Sequence, residues 1–332
     1  MNKIAVLTSG GDAPGMNPAI RSVVRTAIYK GLEVVGVRHG YKGLIEKDFF
    51  PMNRGSVADI IQRGGTILLS ARCDAFKTEA GRKKAYANMK EEGIDGLVVI
   101  GGDGSLRGVQ KINAESKIKA VGIPGTIDND LSCTDYTIGV DTAINTILDA
   151  INKIRDTATS HERTFVIECM GRDSGYLALM TGLAGGAEYI LVPEIDFTPE
   201  EVCDKITQGF KRGKLHSLIL IAEGVKAPFA DLDEYNGSPG LAMGDLIREK
   251  TGMETRVTIL GHLQRGGSPT ATDRIVASRM GYKAVDLLLN GERNKMVTYK
   301  NNSIGSCSVE EAIVEKESIN MDIFKLAKIL SM

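Results

Sequence analysis

Short runs of apolar, mostly β-branched residues alternate along the chain with segments in which apolar residues recur every three or four positions. The short runs are continuously apolar, which is typical of parallel strands buried on both faces. They predict strands over residues 4–7, 34–37, 97–100, 120–123, 165–167, 189–192, 218–222 and 257–260. The segments 17–30 and 140–157 carry an apolar stripe at helical spacing and are predicted as helices. This alternation predicts an α/β architecture with mainly parallel sheets.

The length and composition indicate more than one domain and argue against some partners. With 332 residues, of which 42% are apolar, the chain is long enough for about two domains. It has 41 Lys and Arg residues against 42 Asp and Glu, no Trp and 5% aromatic residues. Proteins that bind nucleic acid usually present a basic face and stacking rings, so nucleic acid is not an expected partner. Any anion site must come from local groups of arginine.

The cysteines and the hydropathy bear on the compartment. The five cysteines are scattered without a C-x-x-C pair, so their spacing suggests neither a disulfide framework nor a zinc site. Gly-Gly-Asp interrupts the first apolar run too soon for a signal peptide, and no apolar run approaches the roughly 18 residues of a membrane span. We therefore expect a cytoplasmic protein with reduced thiols and no membrane partner. The polar, turn-rich segment 224–240 is predicted to be a surface loop.

Candidate chemistry lies in the loops after the strands, because open parallel sheets bind ligands at the carboxyl ends of their strands. The first such loop, TSGGDAPGMN at 8–17, contains Gly10 and Gly11 and opens a helix, a pattern that suits a phosphate. It is not a P-loop, since Met16 and Asn17 stand where that motif has Lys and Ser or Thr. A tight strand–helix turn without a ligand is the alternative.

The second loop, GGDGS at 101–105, places a carboxylate inside a glycine-rich turn. Its glycines lack the G-x-G-x-x-G spacing of a dinucleotide fold. Asp103 in such a loop suits a nucleotide chelated to Mg²⁺, because the carboxylate can hold the metal while backbone N–H groups hold the phosphates. The alternative is that Asp103 only caps the following helix.

The third loop, PGTIDND at 124–130, is the most informative of the three. Asp128 and Asp130 are two positions apart, with Thr126 beside them, directly after a predicted buried strand. Paired carboxylates at a strand end can divide the work between a general base and electrostatics on the metal side. A solvated, Asx-rich turn is the alternative.

Positive charge is concentrated near strand ends. A guanidinium fork is the preferred partner of a phosphate, and a solvated rim of arginines is the alternative. The cations in question are His161, Arg163, Arg172, Arg256, His262, Arg265 and Arg274, the last four in a segment with a Gly-Gly turn that follows a strand. On the first helix, Arg21 and Arg25 share a face without a nearby acidic residue. That pair suggests an external anion, although neutralisation by another element would serve as well.

With these motifs assembled, the sequence closely resembles the family of bacterial ATP-dependent 6-phosphofructokinases. The resemblance covers essentially the whole chain and runs in order through LTSGGDAPGMN, GGDGS, PGTIDND, SHERT, MGR and GHLQRGGSPTATDR. It implies two Rossmann-like three-layer α/β/α domains with mainly parallel sheets and an active site in the cleft between them. The larger, ATP-binding domain would comprise residues 1–138 and 263–314, and the smaller, fructose 6-phosphate-binding domain residues 139–262 and 315–332. It also implies a glycolytic kinase that is allosterically regulated and assembles as a homotetramer.

The resemblance further implies roles for individual residues. Asp128 would be the general base toward the 1-hydroxyl of fructose 6-phosphate, and Asp103 would bind Mg²⁺, the cofactor that accompanies the co-substrate ATP. The implied catalytic residues are Arg72, Thr126, Asp128, Asp130 and Arg172. The implied ATP contacts are Gly11, Arg72, Cys73, Gly102, Asp103, Gly104 and Ser105. The implied substrate contacts are Thr126, Ile127, Asp128, Arg163, Met170, Gly171, Arg172, Glu223, Arg256, His262, Leu263, Gln264 and Arg265, with Arg163 and Arg256 donated by a neighbouring subunit. An effector site for ADP and phosphoenolpyruvate would contain Arg21, Arg25, Arg54, Asp59, Arg155, Gly186, Glu188, Arg212, Lys214 and His216.

Three segments depart from the usual family sequence, namely Leu106, residues 131–133 (LSC) and residues 173–176 (DSGY). A pyrophosphate-dependent phosphofructokinase is the alternative within the family. Such enzymes typically place Asp and Lys at the positions of Gly104 and Gly125. Glycine at both positions predicts an open loop that admits a longer polyphosphate, so ATP is the expected donor.

Overall fold

The computed structural model describes residues 1–229, 231–314 and 319–331. Within these residues the chain forms two compact units. The first unit comprises residues 1–127, 131–142 and 265–314, and the second comprises 128–130, 143–264 without 230, and 319–331. Residues 315–318, where the predicted last segment of the smaller domain begins, lie outside the described residues. The predicted domain bounds, and the ligand assigned to each domain, stay predictions.

Strands and helices alternate along most of the chain. The strands are β1 (Lys3–Thr8), β2 (Glu33–Val37), β3 (Phe49–Met52), β4 (Gly96–Gly101), β5 (Lys119–Pro124), β6 (Thr164–Cys169), β7 (Tyr189–Leu191), β8 (Ser217–Ala222), β9 (Thr255–Ile259), β10 (Lys295–Lys300) and β11 (Ser303–Ser308). The helices are α1 (Met16–Tyr29), α2 (Tyr41–Glu46), α3 (Glu79–Glu91), α4 (Asp103–Glu115), α5 (Val140–His161), α6 (Tyr176–Ala184), α7 (Pro199–Lys211), α8 (Pro239–Thr251), α9 (Ala271–Leu289), α10 (Val309–Val314) and α11 (Met321–Leu330). The predicted α/β architecture is confirmed.

The first unit is built on a seven-stranded sheet with the strand order β11-β10-β5-β4-β1-β2-β3. The five strands from β10 to β2 in that order pair in parallel, and β3 and β11 pair antiparallel at the two edges. Every residue of β4 is buried, so both faces of the central sheet are covered. α1 contributes the predicted stripe, with Ile20, Val23 and Val24 fully buried. Leu106 is fully buried in the main core of this unit.

The second unit is built on a four-stranded parallel sheet with the order β7-β8-β6-β9. All residues of β6 and β8 are buried, as expected of central parallel strands. α7 begins with a reciprocal cap, in which the Thr198 hydroxyl and the Glu201 carboxylate each accept an N–H of the other residue, and Pro199 follows the cap. α5 carries the chain from the first unit into the second at residues 142 and 143.

The structure differs from the predicted elements mainly at sheet edges and in one loop. β3, β10 and β11 are not among the predicted strands, since their sequences are short and polar or carry a proline, Pro51, which only an edge strand tolerates. The prediction of a surface loop over 224–240 is wrong at its end, because α8 begins at Pro239 and Ser238 is buried as its cap. Residue 230 of that segment lies outside the described residues. Of the helices in the described ranges, none is both long and apolar enough to cross a membrane.

Candidate active site

The three candidate loops of the first unit lie at one edge of its sheet. β1, β4 and β5 are adjacent parallel strands, with Thr8 opposite Ile100 and Gly101 opposite Pro124. Their carboxyl ends therefore release the loops starting at residues 9, 102 and 125 side by side. This is the edge at which parallel sheets bind ligands.

In the loop after β1, the Arg265 guanidinium lies directly against Gly11. A Cβ atom on Gly11 would lie 2.5 Å from Arg265 Nη1, and Arg265 Nη1 itself donates to the Asp12 carbonyl oxygen at 3.2 Å. Gly10 adopts a φ of +86°, in the region that favours glycine. The guanidinium of Arg265 is thus held against the backbone of this loop, where it can meet an anion.

Asn17 and Asp12 position a loop that sequence reasoning did not assign. Asn17 Nδ2 donates to the carbonyl oxygens of Arg63 and Gly65 at 3.0 and 2.8 Å, and its Oδ1 accepts the Ile67 N–H at 2.9 Å. The Asp12 carboxylate accepts the Thr66 N–H at 3.2 Å, and burial raises its pKa. Asn17, one of the two residues that depart from the P-loop pattern, therefore holds residues 63–67 against α1. In the sequence, the unexpected amide at position 17 is the one feature that could have indicated this contact.

Asp103 is the first residue of α4, after Gly102 at the cap position, and its side chain does not cap the helix. Arg107 Nε donates to Asp103 Oδ2 at 3.3 Å and lies 3.1 Å from the buried Oδ1, so this carboxylate is paired with one guanidinium group. A carboxylate at the start of a phosphate-type loop is a ligand of the kind that a hard divalent cation prefers. Ser105 lies at the same turn, where a Cβ on Gly101 would approach its Oγ to 2.4 Å.

Gly104 and Gly125 differ in the space around them. A Cβ on Gly104 would meet no atom within 4 Å, as predicted for an open loop. At Gly125 the prediction of open space is wrong, because a Cβ there would lie 3.0 Å from Ile100 Cγ2 and 3.2 Å from Met16 Cε. The apolar core under the third loop thus leaves little room for a longer side chain at 125.

Thr126 follows the end of β5 in the first unit. It is buried, its carbonyl oxygen accepts the Thr137 hydroxyl at 2.6 Å, and a Cβ on Gly102 would lie 3.3 Å from Thr126 Cβ. The neighbouring Ile127 is fully buried. Arg72, by contrast, is exposed, and Cys73 beside it precedes a short 3₁₀ turn at Asp74–Lys77.

Asp128, the candidate base, belongs by its contacts to the second unit. It is 3% exposed, and Arg172 Nε lies 3.5 Å from its Oδ2. Asn129 and Arg172 have φ angles of +46° and +53°, in the left-handed region that non-glycine residues seldom adopt. Strained residues on both sides of a buried carboxylate are typical of a functional site.

Buried polar side chains hold the loop that carries Arg172. Glu223 Oε1 accepts the N–H groups of Gly171 and Arg172 at 3.1 and 2.8 Å. Gln264 is fully buried, and its Oε1 accepts the Met170 N–H at 3.1 Å. Glu223 follows β8 and Met170 follows β6, so these predicted residues meet at the carboxyl edge of the second sheet. His262 and Leu263 follow β9 and are exposed.

Arg163 and Arg256 lie at the opposite, amino-terminal end of the same sheet. Arg256 is the second residue of β9, opposite Phe165 of β6. Both guanidinium groups pair with Glu254, at 2.8 and 2.6 Å, and the hydrogen bond from Arg163 holds the pKa of Glu254 below its ordinary value. Within one chain, the sheet therefore separates these arginines from Arg172.

The residues expected to bind effectors fall into two groups. In the second unit, Arg155 donates to the Gly185 and Gly186 carbonyl oxygens, and Lys214 Nζ lies 2.9 Å from the buried carboxylate of Glu188. His216 and Arg212 belong to this group, with His216 Nδ1 3.5 Å from Thr159 Oγ1 and Arg212 at the end of α7. The group in the first unit is Arg21, Arg25, Arg54 and Asp59, of which the last three are exposed and Arg21 is partly buried.

Comparison with known proteins decides the family. The family model described as phosphofructokinase matches residues 3–288. This chain belongs to the phosphofructokinase family. A protein of Halothermothrix orenii named ATP-dependent 6-phosphofructokinase is 68% identical over 332 residues, with 100% of both chains covered. A protein of Clostridium novyi with the same name is 56% identical over 331 residues, again with 100% of both covered.

Solved structures of the family share the fold. The phosphofructokinase of Saccharomyces cerevisiae is 36% identical with a TM-score of 0.83, covering 99% of this chain, which spans about half (46%) of the yeast chain. A pyrophosphate-dependent phosphofructokinase from Marinobacter aquaeolei has a TM-score of 0.85 at 22% identity, with 97% of this chain and 86% of that chain covered. The second likeness concerns the fold alone. Together these matches confirm the predicted two-domain phosphofructokinase fold.

Proposed function

We propose that this chain is an ATP-dependent 6-phosphofructokinase, which transfers the γ-phosphoryl group of ATP to the 1-hydroxyl of fructose 6-phosphate. The products are fructose 1,6-bisphosphate and ADP. The observation that carries the proposal is the buried Asp128 carboxylate, paired with Arg172 and directly following the glycine-lined edge of β4 and β5. The relatives named for this activity match over their whole lengths.

In the proposed mechanism, Asp128 accepts the proton of the 1-hydroxyl as its oxygen attacks the γ-phosphorus. Arg172, held by Glu223, balances the Asp128 charge and can follow the phosphoryl group as it transfers. Thr126 and Asp130 flank the base on the chain. Phosphoryl transfer depends mainly on positioning and charge stabilisation, which suits a site made of fixed backbone and guanidinium groups.

The nucleotide belongs to the first unit in this proposal. Gly11, Arg72, Cys73 and the 102–105 turn would contact ATP, and Asp103 Oδ1 would hold Mg²⁺. When bound, Mg²⁺ supplies neutralisation of the phosphate charge. Arg265, fixed against Gly11, is placed to bind a phosphate or sugar-phosphate oxygen.

The space around the two glycines favours ATP over pyrophosphate. Gly104 is open, so nothing from the protein fills the region that a nucleotide's α-phosphate needs. Gly125 is crowded by Ile100 and Met16, which disfavours a lysine that could hold a small donor. The affinity for the donor must then come from contacts with the base and the ribose of ATP.

The separation of Arg163 and Arg256 from Arg172 supports an oligomer. We infer that these two arginines bind the 6-phosphate in the site of a neighbouring subunit of a homotetramer, since they cannot reach the carboxyl edge of their own sheet. The Arg155–Glu188–Lys214 group would bind ADP and phosphoenolpyruvate as effectors, together with the α1 cations of a neighbouring subunit. We expect this regulated enzyme to act in cytoplasmic glycolysis.

The product of the reaction tests the proposal. The purified protein is incubated with fructose 6-phosphate, Mg²⁺ and ATP labelled in the γ-phosphate. The expected result is one label per sugar, located at carbon 1, with release of ADP. Label in inorganic phosphate alone, or label transfer undiminished in Asp128→Asn, would reject the assignment.

A further inference from the structure

Cys133, Cys307 and Glu311 form a cluster in the first unit to which the proposed reaction assigns no role. One sulfur from each cysteine and a carboxylate oxygen of Glu311 all lie within 4.8 Å of one another. Both cysteines are partly exposed and Glu311 is exposed, so a solute can reach them. The two cysteines are far apart in the sequence, which is why their spacing indicated no such site.

The backbone explains how the cluster forms. Cys307 lies near the end of β11, and Glu311 lies in the first turn of α10, which follows directly. The segment with Cys133 packs against the same turn, because the Ser132 N–H donates to the Ala312 carbonyl oxygen at 3.2 Å. Two segments that are far apart in the chain, the one with Cys133 and the one from Cys307 to Glu311, thus bring their side chains together.

Cys133 occupies a backbone conformation that a cysteine rarely adopts. Its φ is +68°, in the left-handed region where glycine would carry no steric penalty. A non-glycine residue kept in such a conformation points to a use for its side chain. The Cys133 sulfur lies within 4.8 Å of the Cys307 sulfur.

Glu311 is held in place by a reciprocal cap at the start of α10. The Ser308 N–H donates to Glu311 Oε2 at 3.0 Å, and the Glu311 N–H donates to Ser308 Oγ at 3.2 Å. A side chain fixed by such outer contacts is preorganised as a ligand.

We propose that Cys133, Cys307 and Glu311 bind a thiophilic divalent cation of the Zn²⁺ type, with water as the fourth ligand. Two thiolates and a carboxylate are a ligand set that Zn²⁺ accepts. Metal–sulfur bonds of about 2.3 Å would place the two sulfurs roughly 3.8 Å apart. That separation agrees with ligand atoms that lie within 4.8 Å of one another. Mg²⁺ prefers oxygen ligands alone and would not compete. On binding, each thiol releases its proton to solvent and its sulfur lone pair bonds the metal, so no oxidant is required.

The site is separate from the Asp103 site. An occupied site would join the chain that follows the 126–130 loop to the first turn of α10. All three ligands belong to the first unit. None of them has a role in the proposed reaction, so the metal site stands whether or not that reaction is correct.

The test is a titration of the metal-free, full-length protein with Cd²⁺ in the presence of a phosphine reductant. Thiolate-to-cadmium charge transfer gives an ultraviolet absorption, which we expect to saturate at one Cd²⁺ per chain and to be lost on competition with Zn²⁺. Cys133→Ser and Cys307→Ser should each lose about half of this absorption and at least about tenfold in affinity, and Glu311→Gln should keep the absorption but bind more weakly. Cys203→Ser, which changes a buried cysteine of the second unit, is the matched control and should behave as the unmodified chain.

A second measurement needs no variant. Alkylation of the unmodified protein, mapped by mass spectrometry, should show Zn²⁺ protecting Cys133 and Cys307 together. The proposal would be overturned if the Cd²⁺ titration gave no charge-transfer absorption, or if both cysteines stayed open to alkylation at saturating Zn²⁺. It would also be overturned if Cys203→Ser lost as much absorption as Cys133→Ser and Cys307→Ser. So would a Cys133–Cys307 disulfide as the sole modification with no metal bound under reducing conditions.

Discussion

At the scale of single residues, the site depends on side chains whose surroundings limit what they can do. Asp128 is buried, follows the end of β5 by a few residues, and is paired with a half-exposed arginine, Arg172. A carboxylate in such a position can accept a proton only from a group brought to it. Its amide analogue would keep the shape but lose the basic lone pair.

Asp128→Asn should therefore lower kcat by about 10²–10⁴ while the KM for fructose 6-phosphate changes little, as expected for loss of a positioned general base. Steady-state kinetics under saturating ATP measure both constants. Asp149→Asn is the control, since Asp149 is an exposed carboxylate on α5 that pairs with Lys153. An Asp128→Asn enzyme with near-normal kcat would remove Asp128 from the mechanism.

Gly11→Ala should lower kcat/KM by about ten- to a hundredfold, equivalent to the roughly 1.5–3 kcal/mol of a hydrogen bond to a charged group. The reason is that the new methyl group would displace the Arg265 guanidinium, 2.5 Å away. Gly104→Ala is the comparison variant for folding, measured by thermal unfolding. Its methyl group meets nothing within 4 Å, so the melting temperature should stay unchanged or rise. Unchanged kinetics in Gly11→Ala would mean that Arg265 has no part in binding.

At the scale of elements, one buried carboxylate on α9 joins two helices and a loop of the first unit. Asp273 is fully buried and accepts the N–H groups of Gly139 and Thr142 at 2.7 and 2.9 Å. The hydroxyls of Thr142 and Tyr136 also donate to it, at 2.5 and 2.8 Å. It thereby fixes the start of α5, the helix that leads into the second unit.

Asp273→Ala should lower the free energy of unfolding by at least about 3 kcal/mol, because each buried donor left without an acceptor costs about 1–3 kcal/mol. Denaturant unfolding measures the change. Asp286→Ala on the same helix removes a partly exposed carboxylate and should stay within about 0.5 kcal/mol of the unmodified chain. Equal effects of the two variants would show that the Asp273 hydrogen bonds contribute little.

The sequence pattern predicted the central elements better than the edges. β4, β5, β6 and β8 are continuous apolar runs, and burial on both faces leaves that pattern few other interpretations. The sequence did not indicate the hairpin of β10 and β11, because polar residues interrupt the apolar positions of both strands. The contacts of Asn17, and the meeting of Cys133 with Cys307, depend on how distant segments pack, which no local spacing encodes.

At the scale of the whole molecule, the position of Arg163 and Arg256 at the amino-terminal end of their sheet makes a prediction about assembly. If Arg163 completes the site of a neighbouring subunit, a site can be formed by Asp128 from a chain that lacks Arg163 and by Arg163 from a chain that lacks Asp128. Random assembly of equal amounts would restore about a quarter of the sites.

Arg163→Ala and Asp128→Asn, each nearly inactive at low fructose 6-phosphate, should therefore regain activity when they are unfolded and refolded together. Separately refolded samples mixed afterwards are the control. No gain in the refolded mixture, with both variants shown to assemble, would place Arg163 in the site of its own chain.

The central claim is that ATP is the phosphoryl donor and fructose 6-phosphate the acceptor. The most direct measurement is the initial rate of fructose 1,6-bisphosphate formation at saturating fructose 6-phosphate and Mg²⁺, with ATP and then pyrophosphate varied as donor. We expect a kcat/KM for ATP far above that for pyrophosphate, and a sharp loss of ATP use in Gly104→Asp, which fills the open space beside Asp103. A kcat/KM for pyrophosphate equal to or above that for ATP would contradict the claim.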